Sequence, residues 1–253
     1  MNIGLIIALV ALLLVLILGY NIMLQYKLKA EATRRQESAR YVALIDATEE
    51  LISGASYLPY SKELMLCLHN RILDALINMQ ELDPKNKHLS QRIEAAKHQI
   101  EQLLDNYEGT EATSFKVPTS DKQAIIMLKL VKRLRDTVRT EHNKGKMDTQ
   151  SYMIENARLE TIQIRINIEN VVKRAHESMS KGQPGTAAQL LKKGIDALST
   201  KNDNYSIHAK DKLSEMLDQL QNSRQAKAEE KQQQANSERD DDINALFGEK
   251  KKW

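Results

Sequence analysis

The sequence predicts an all-α protein with an N-terminal transmembrane helix, an antiparallel helical-hairpin domain and a disordered C-terminal tail. Aromatic residues make up only 4% of its 253 residues, and the residues that dominate are Leu, Ala, Gln, Glu, Lys and Ile, which helices accommodate better than sheets do. Apolar residues recur at steps of three and four, which is the helical period. One uncharged apolar run near the N-terminus adds the transmembrane helix.

The membrane prediction depends on residues 3–20, an almost wholly apolar run of 18 residues without a charge. At about 1.5 Å of rise per residue, this run approaches the hydrocarbon thickness of a bilayer. Four basic residues follow within residues 27–35, and the side richer in Lys and Arg normally stays in the cytoplasm. We therefore expect residues 1–26 to form a single span of the inner (plasma) membrane, with the N-terminus outside and the body cytoplasmic.

A cleaved signal peptide is the alternative, because Ala-Glu-Ala at residues 30–32 resembles a small-residue cleavage site. The apolar run is too long for such a peptide, and no Lys or Arg precedes it. Lys27 and Lys29 would also lie between that run and the cut. These features favour the transmembrane span.

Helical patterns continue after the span. Residues 27–60 read as a juxtamembrane helix and a linker, because Gly and Pro interrupt the apolar stripe within residues 53–60. Residues 61–107 contain two amphipathic stretches separated by Asp-Pro-Lys-Asn at residues 83–86. Two such helices joined by a short turn form an antiparallel hairpin.

A second helical domain is expected over residues 120–221, after residues 108–120, which lack a helical pattern. Polar residues that cap helix N-termini precede its apolar stripes. The expected helix starts are Ser120 with Gln123 as a capping box, Asp148 for a long fifth helix ending near Lys181, Thr186 with Gln189 as another capping box, and about Asn204 for a last helix ending near Gln221.

Five residues around the turn between the predicted fifth helix and the short helix that follows form a further pattern: Ala175, Gly182, Ala187, Leu191 and Gly194. This pattern resembles a tetratricopeptide repeat (TPR), which pairs two helices, the first ending at Gly and the second packing a small residue against it. The resemblance implies a TPR-like hairpin, and an ordinary helical hairpin or bundle remains the alternative.

No catalytic or metal-binding pattern is present in the sequence. The six histidines form neither HExxH nor an i, i+4 pair. Cys67 is the only cysteine and sits in an apolar run, where a core residue is expected rather than a nucleophile. The turn sequence GQPGTAA lacks the Gly-Lys-Ser/Thr ending of a phosphate loop. We expect no enzyme, no cofactor and no metal.

The predicted fourth helix is basic and amphipathic. Lys129, Lys132, Arg133 and Arg139 accompany an apolar face of Met127, Leu130, Leu134 and Val138. Such a helix contacts anionic lipid, nucleic acid or an acidic protein, or it is the solvated face of a core helix. Since no aromatic residues alternate with these charges, nucleic-acid binding is the less favoured function.

The C-terminal tail is predicted to carry a short binding motif at residues 240–253 behind a disordered linker at residues 222–239. Ile243, Leu246 and Phe247 follow helical spacing after Asp242, and Trp253 ends the chain. So short a segment forms a helix only against a partner surface. Docking on the protein's own helices, or no role at all, are the alternatives.

This tail resembles that of the bacterial cell-division tubulins, in which a disordered linker leads to an Asp-Ile-Pro-Ala-Phe-Leu peptide. Asp242, Ile243, Ala245, Leu246 and Phe247 match that peptide in type, with Asn in place of the proline. The resemblance implies docking on an adaptor protein. The expected function is therefore a membrane-anchored helical scaffold or adaptor that recruits a cytoplasmic protein, and the apolar stripes would equally serve homo-oligomerisation.

Overall fold

The structure, a computed structural model, describes residues 3–107, 115–116, 118 and 120–247. Helices make up nearly all of these residues, and no β-strand occurs within these ranges. The all-α prediction is confirmed. The helices are α1 (Ile3–Ser53), α2 (Lys62–Leu82), α3 (Lys87–Asn106), α4 (Asp121–Asn143), α5 (Thr149–Ser180), α6 (Pro184–Leu198) and α7 (Asn204–Phe247), with a short 3-10 turn at Gly54–Ser56.

The chain divides into two compact units. The first unit comprises Met1–Phe115 and Lys132–Ala157, and the second comprises Lys116–Val131 and Arg158–Trp253. One division falls inside the predicted boundary segment, and the other two fall within α4 and α5. Each of these two helices therefore contributes one part to each unit.

The core of the first unit is the α2–α3 hairpin packed on the C-terminal part of α1. Its apolar residues lie at helical spacing on facing stripes, and burying each one stabilises the fold by about 1.5–3 kcal/mol. Tyr60, between α1 and α2, is buried and its hydroxyl donates to the carbonyl of Leu51 at 2.6 Å. The buried residues of the hairpin core are Ile45, Ile72, Ala75, Leu76, Met79, Leu89, Ile93 and Ala96.

Side chains cap several helices at their N-termini. Ser61 accepts the Leu64 N–H at 3.0 Å to begin α2, and Asn86 accepts the His88 N–H at 3.1 Å to begin α3. Such caps satisfy backbone donors that have no partner in the first helical turn. The two caps predicted for α4 and α5 are present: Ser120 accepts from Gln123 at 3.2 Å, and Asp148 accepts from Ser151 at 2.9 Å.

The second unit contains an α6–α7 hairpin packed against α5. Gly194 of α6 lies where a Cβ would come within 2.9 Å of Leu213 Cδ1 and 3.3 Å of Val171 Cγ1, so any larger residue here would have to displace these side chains. Gly182 follows α5 with φ +70°, a left-handed conformation that glycine adopts without strain. The buried core residues are Ile168, Ala175, Ala187, Leu191, Leu198, Leu213 and Leu220.

The small-residue contacts behind the TPR resemblance are thus present, but the TPR-like arrangement itself is not confirmed. One helix start differs from the prediction. α6 begins at Pro184, two residues before Thr186, because proline fixes the backbone angle that the first helical position requires. Gln183 precedes it without a side-chain cap.

The disordered tail is also not confirmed, because α7 continues from Asn204 to Phe247 through the whole predicted linker. Residues 222–239 are rich in Gln, Ala, Glu, Lys and Arg. All of these residue types have high helix propensity. The segment can therefore be helical although it has no apolar stripe to pack against a core.

Candidate membrane anchor and interaction surfaces

Within the first unit, α1 runs without a break from the apolar N-terminal stretch to the part that packs on α2. It covers 51 residues and is about 75 Å long. Judged by length and composition, it is long and apolar enough to cross a membrane. Leu12, Leu16 and Ile17 are among its exposed apolar side chains. This part of α1 therefore presents an apolar surface that no other described part of the protein covers.

A charged cluster joins α2 to α4 inside the first unit. The Glu141 side chain is only 4% exposed, and its Oε1 accepts Arg71 Nη1 at 2.5 Å and Lys144 Nζ at 2.9 Å. Nearby, Lys146 Nζ lies 2.9 Å from Asp74 Oδ2, and this ion pair raises the pKa of Lys146. A carboxylate buried without a cation would be strongly destabilising, so Arg71 and Lys144 neutralise Glu141.

A second polar contact fixes the start of α2 to α5. The buried Ser61, which caps α2, also donates its hydroxyl to Glu155 Oε2 at 2.6 Å. Glu155 is itself buried. One hydroxyl thus satisfies a helix N-terminus and a buried carboxylate at once, and these roles are structural.

A polar cleft of about 280 Å³ opens beside the charged cluster of the first unit. Thr48, Arg71, Arg133 and Thr140 are among the residues that line it. Thr48 and Thr140 donate to helix carbonyls at 2.7 Å, and both arginines bind glutamates of the same unit. Because these polar groups are already bound to other groups of the protein, they serve to hold its helices together, and we do not assign a ligand to this cleft.

The predicted basic surface on α4 is only partly available. The Arg133 guanidinium binds Glu50 of α1 at 2.8 Å, which lowers the pKa of Glu50 and raises that of Arg133. Lys129, Lys132 and Arg139 are exposed and make no ion pair with any described residue. Arg133 therefore stabilises the first unit, and the nucleic-acid alternative loses one of its four cations.

The apolar face of α4 differs from the prediction by one residue. Val131 is fully buried, whereas Leu130 is half-buried. Met127, Leu134 and Val138 are buried as expected. Both residues lie three or four positions from Met127 and Leu134, but at about 100° per residue Val131 lies about 40° from the centre of the stripe and Leu130 about 60°.

Cys67 and the histidines show no arrangement for chemistry in the described residues. Cys67 is half-buried in α2, and burial raises the pKa of its thiol to about 11, so it is protonated at neutral pH. His142 stacks on Tyr152 with 4.4 Å between ring centroids. No group of three or more His, Cys, Asp or Glu residues in the described part of the chain is arranged to hold a metal ion.

The terminal motif lies at the end of a long helical segment. Leu220 is the last buried residue described in α7, and every side chain at residues 221–236 is exposed. The backbone of residues 240–247 is helical. The side chains of Asp242, Ile243, Leu246 and Phe247, and the whole of Trp253, lie outside the described part of the structure.

Comparison of this chain with protein-family models, curated proteins and solved structures gives no match.

Proposed function

We propose that this chain is a membrane-anchored helical scaffold or adaptor whose body lies in the cytoplasm and recruits protein partners, partly through residues 240–253. The observation that carries the proposal is α1, one helix that contains both the apolar run and the part that packs on α2. A helix without a break transmits position and orientation from a membrane to the body.

The polar groups of the first unit favour a structural role for that unit. Glu141, Glu155 and Arg133 bind other side chains of the unit, which leaves them engaged in holding helices together. A scaffold needs such fixed helices, whereas catalysis needs reactive groups that face a substrate. This distribution of contacts supports a positional function.

The end of α7 supports recruitment. From Leu220 to Phe247 the helix rises about 40 Å, which carries the terminal motif away from the apolar core of the second unit. Anchoring confines a motif that binds weakly to a thin layer beside the membrane, and this raises its effective concentration without any new contact.

The test is proximity labelling in native membranes, with the intact chain compared with a chain truncated after Arg239. A substitution pair gives a finer comparison: Leu246→Ser with Phe247→Ser removes the apolar side chains of the motif. Lys250→Ser with Lys251→Ser changes the same tail without touching them and is the matched control.

Specific proteins that are labelled by the intact chain and by the lysine control, but not by the truncated or apolar-deficient chains, would establish recruitment by the motif. Identical sets of labelled proteins from all four chains would overturn the use of residues 240–253 in recruitment.

A further inference from the structure

A groove lies between residues 26–37 of α1, which follow the apolar run, and the C-terminal end of α2. It encloses about 500 Å³ and belongs wholly to the first unit. The side chains that define its chemistry are Tyr26, Lys29, Arg34 and Glu37 of α1, with Glu81 and Leu82 of α2.

The groove begins close to the end of the apolar run. Lys29 follows Leu24, an exposed apolar residue, by five residues, or about 7 Å of helix rise. The headgroup layer on each side of a bilayer is about 5–8 Å thick. In the proposed span Tyr26 and Lys29 would lie at headgroup level, where tyrosine and lysine are favourable. Arg34 would lie higher and reach toward the headgroups with its long side chain.

The turn between α2 and α3 approaches the same end of the first unit. α2 runs back along α1, since its start follows the end of α1 while Glu81 and Leu82 lie beside residues 26–37. Lys85 and Lys87 in and after this turn are exposed. The turn therefore adds positive charge on the side of the groove that would face the membrane.

The charge at this end is positive overall, although the groove itself is lined by two basic side chains, Lys29 and Arg34, and two acidic ones, Glu37 and Glu81. Residues 26–37 and 81–88 contain six basic and four acidic residues. One of the acidic residues, Glu31, pairs with Arg35 at 3.9 Å, whereas Lys29 and Arg34 make no ion pair with any described residue. Glu37 lines the groove at its far end, about 12 Å of helix rise beyond Lys29.

We propose that this groove binds the phosphate headgroup of an anionic phospholipid, with Lys29 and Arg34 as the phosphate ligands and Tyr26 at the acyl boundary. The inference rests on the proposed membrane anchoring. Binding one lipid here would join α1 to the α2–α3 turn and so fix the angle between the body and the bilayer. The carboxylates of Glu37 and Glu81 also line the groove, so the phosphate would lie against Lys29 and Arg34 and away from these two side chains.

The experiment uses the full chain in nanodiscs of zwitterionic phosphatidylcholine with increasing phosphatidylglycerol, and native mass spectrometry counts the phosphatidylglycerol that stays bound. The groove variant is Lys29→Gln with Arg34→Gln. The matched control is Lys27→Gln with Arg35→Gln, which removes the same charge from the same turns of α1 but from residues that do not line the groove.

We expect the groove variant to lose affinity for phosphatidylglycerol by about 100-fold or more, since each direct hydrogen bond to a charged group contributes about tenfold or more. The control removes only attraction to the anionic surface, about fivefold for each residue, and should lose several-fold less. Equal losses in the two variants would overturn the groove site in favour of diffuse attraction. Displacement of the lipid by millimolar inorganic phosphate would also overturn it, because the site would then take free anion.

Carbonate extraction of the same samples separates this proposal from the membrane anchor. A chain that resists extraction but retains no phosphatidylglycerol contradicts the lipid site alone. A chain that is extracted contradicts the anchor, and the lipid site with it.

Discussion

Each of the two units of this protein has its own apolar core, and the units differ in how deeply their internal polar contacts are buried. In the first unit, ion pairs and hydrogen bonds join helices that are far apart in sequence, as Arg71 to Glu141 and Ser61 to Glu155 show. In the second unit, the ion pair of Lys201 with Glu160 is more exposed, with the two side chains 37% and 33% exposed. The α5–α6–α7 core is apolar, and Gly194 allows its helices to approach closely. The first unit should therefore be sensitive to loss of a polar partner, and the second to a change of volume.

The largest expected effect is the loss of a buried ion-pair partner in the first unit. Arg71→Met leaves Glu141 with Lys144 alone, and we expect the free energy of unfolding of that unit to fall by about 3 kcal/mol. Hydrogen exchange with mass spectrometry on the full chain in detergent measures this loss segment by segment.

Arg133→Met is the matched control for Arg71→Met. It breaks the pair with Glu50, whose side chain is 66% exposed, so a much smaller loss is expected in the same unit. Equal losses from the two substitutions would show that burial of the Arg71 pair contributes nothing, and the contrast between the units would fail.

The second unit should respond to added volume. In Gly194→Leu the new Cβ would lie within 2.9 Å of Leu213 Cδ1, and overpacking should destabilise the α6–α7 hairpin by about 1–3 kcal/mol. Gly185→Leu is the control in the same helix, because a Cβ there meets nothing within 4 Å. The same exchange measurement compares them, and a hairpin unaffected by Gly194→Leu would contradict the close approach.

The two units can be compared at a serine that caps a helix N-terminus in each: Ser61 for α2 in the first unit and Ser120 for α4 in the second. Ser61→Ala removes both the α2 cap and the bond to Glu155, so the expected cost is about 2 kcal/mol. Ser120→Ala removes only the exposed cap of α4, with an expected cost of about 1 kcal/mol. Thermal unfolding followed by circular dichroism measures the stability lost in each variant. A larger loss from Ser120→Ala than from Ser61→Ala would mean that the hydrogen bond from Ser61 to Glu155 does not stabilise the first unit.

The smallest effect concerns Cys67, which reports on the first unit alone because it is the only cysteine. Its pKa rises from 9.0 to about 11 through burial. The native state keeps this proton longer than the unfolded state does, so its contribution to stability is complete below pH 9 and is lost as the pH rises to about 11.

Alkylation by iodoacetamide tests this directly. Below pH 9 the thiolate fraction of Cys67 should be about 100-fold lower than that of a free thiol, and the rate should rise with an inflection near pH 11. An inflection near pH 9 would mean that the first unit exposes its thiol to water.

Local features of the fold were predictable from the sequence, because their signals lie within a few residues. The caps at Ser120 and Asp148 each need only a side chain and a backbone donor three residues later. The break after α1 needs only Gly54 and Pro59. Composition alone did not separate helix from disorder at residues 222–239, since the same residue types suit both.

The ion pairs were harder to predict, because their partners are distant in sequence. Arg71 and Glu141 are 70 residues apart. A signal was nevertheless present: Glu141 continues the three-and-four spacing of Val131, Leu134 and Val138, so a carboxylate occupies a core position and requires a buried cation. The angular positions along the same stripe would likewise have favoured Val131 over Leu130. For the terminal motif, recruitment of a partner stays a prediction.

The unbroken α1 has a directional consequence. An α-helix turns by about 100° for each residue. If α1 spans a membrane as proposed, the number of residues between the apolar run and the body sets the rotation of that body about the membrane normal. Deleting one residue near Ala32 would turn the body by more than a quarter circle while raising or lowering it by only about 1.5 Å. In the proposed anchoring, the length of this segment would therefore determine which face of the body is presented to partners along the membrane.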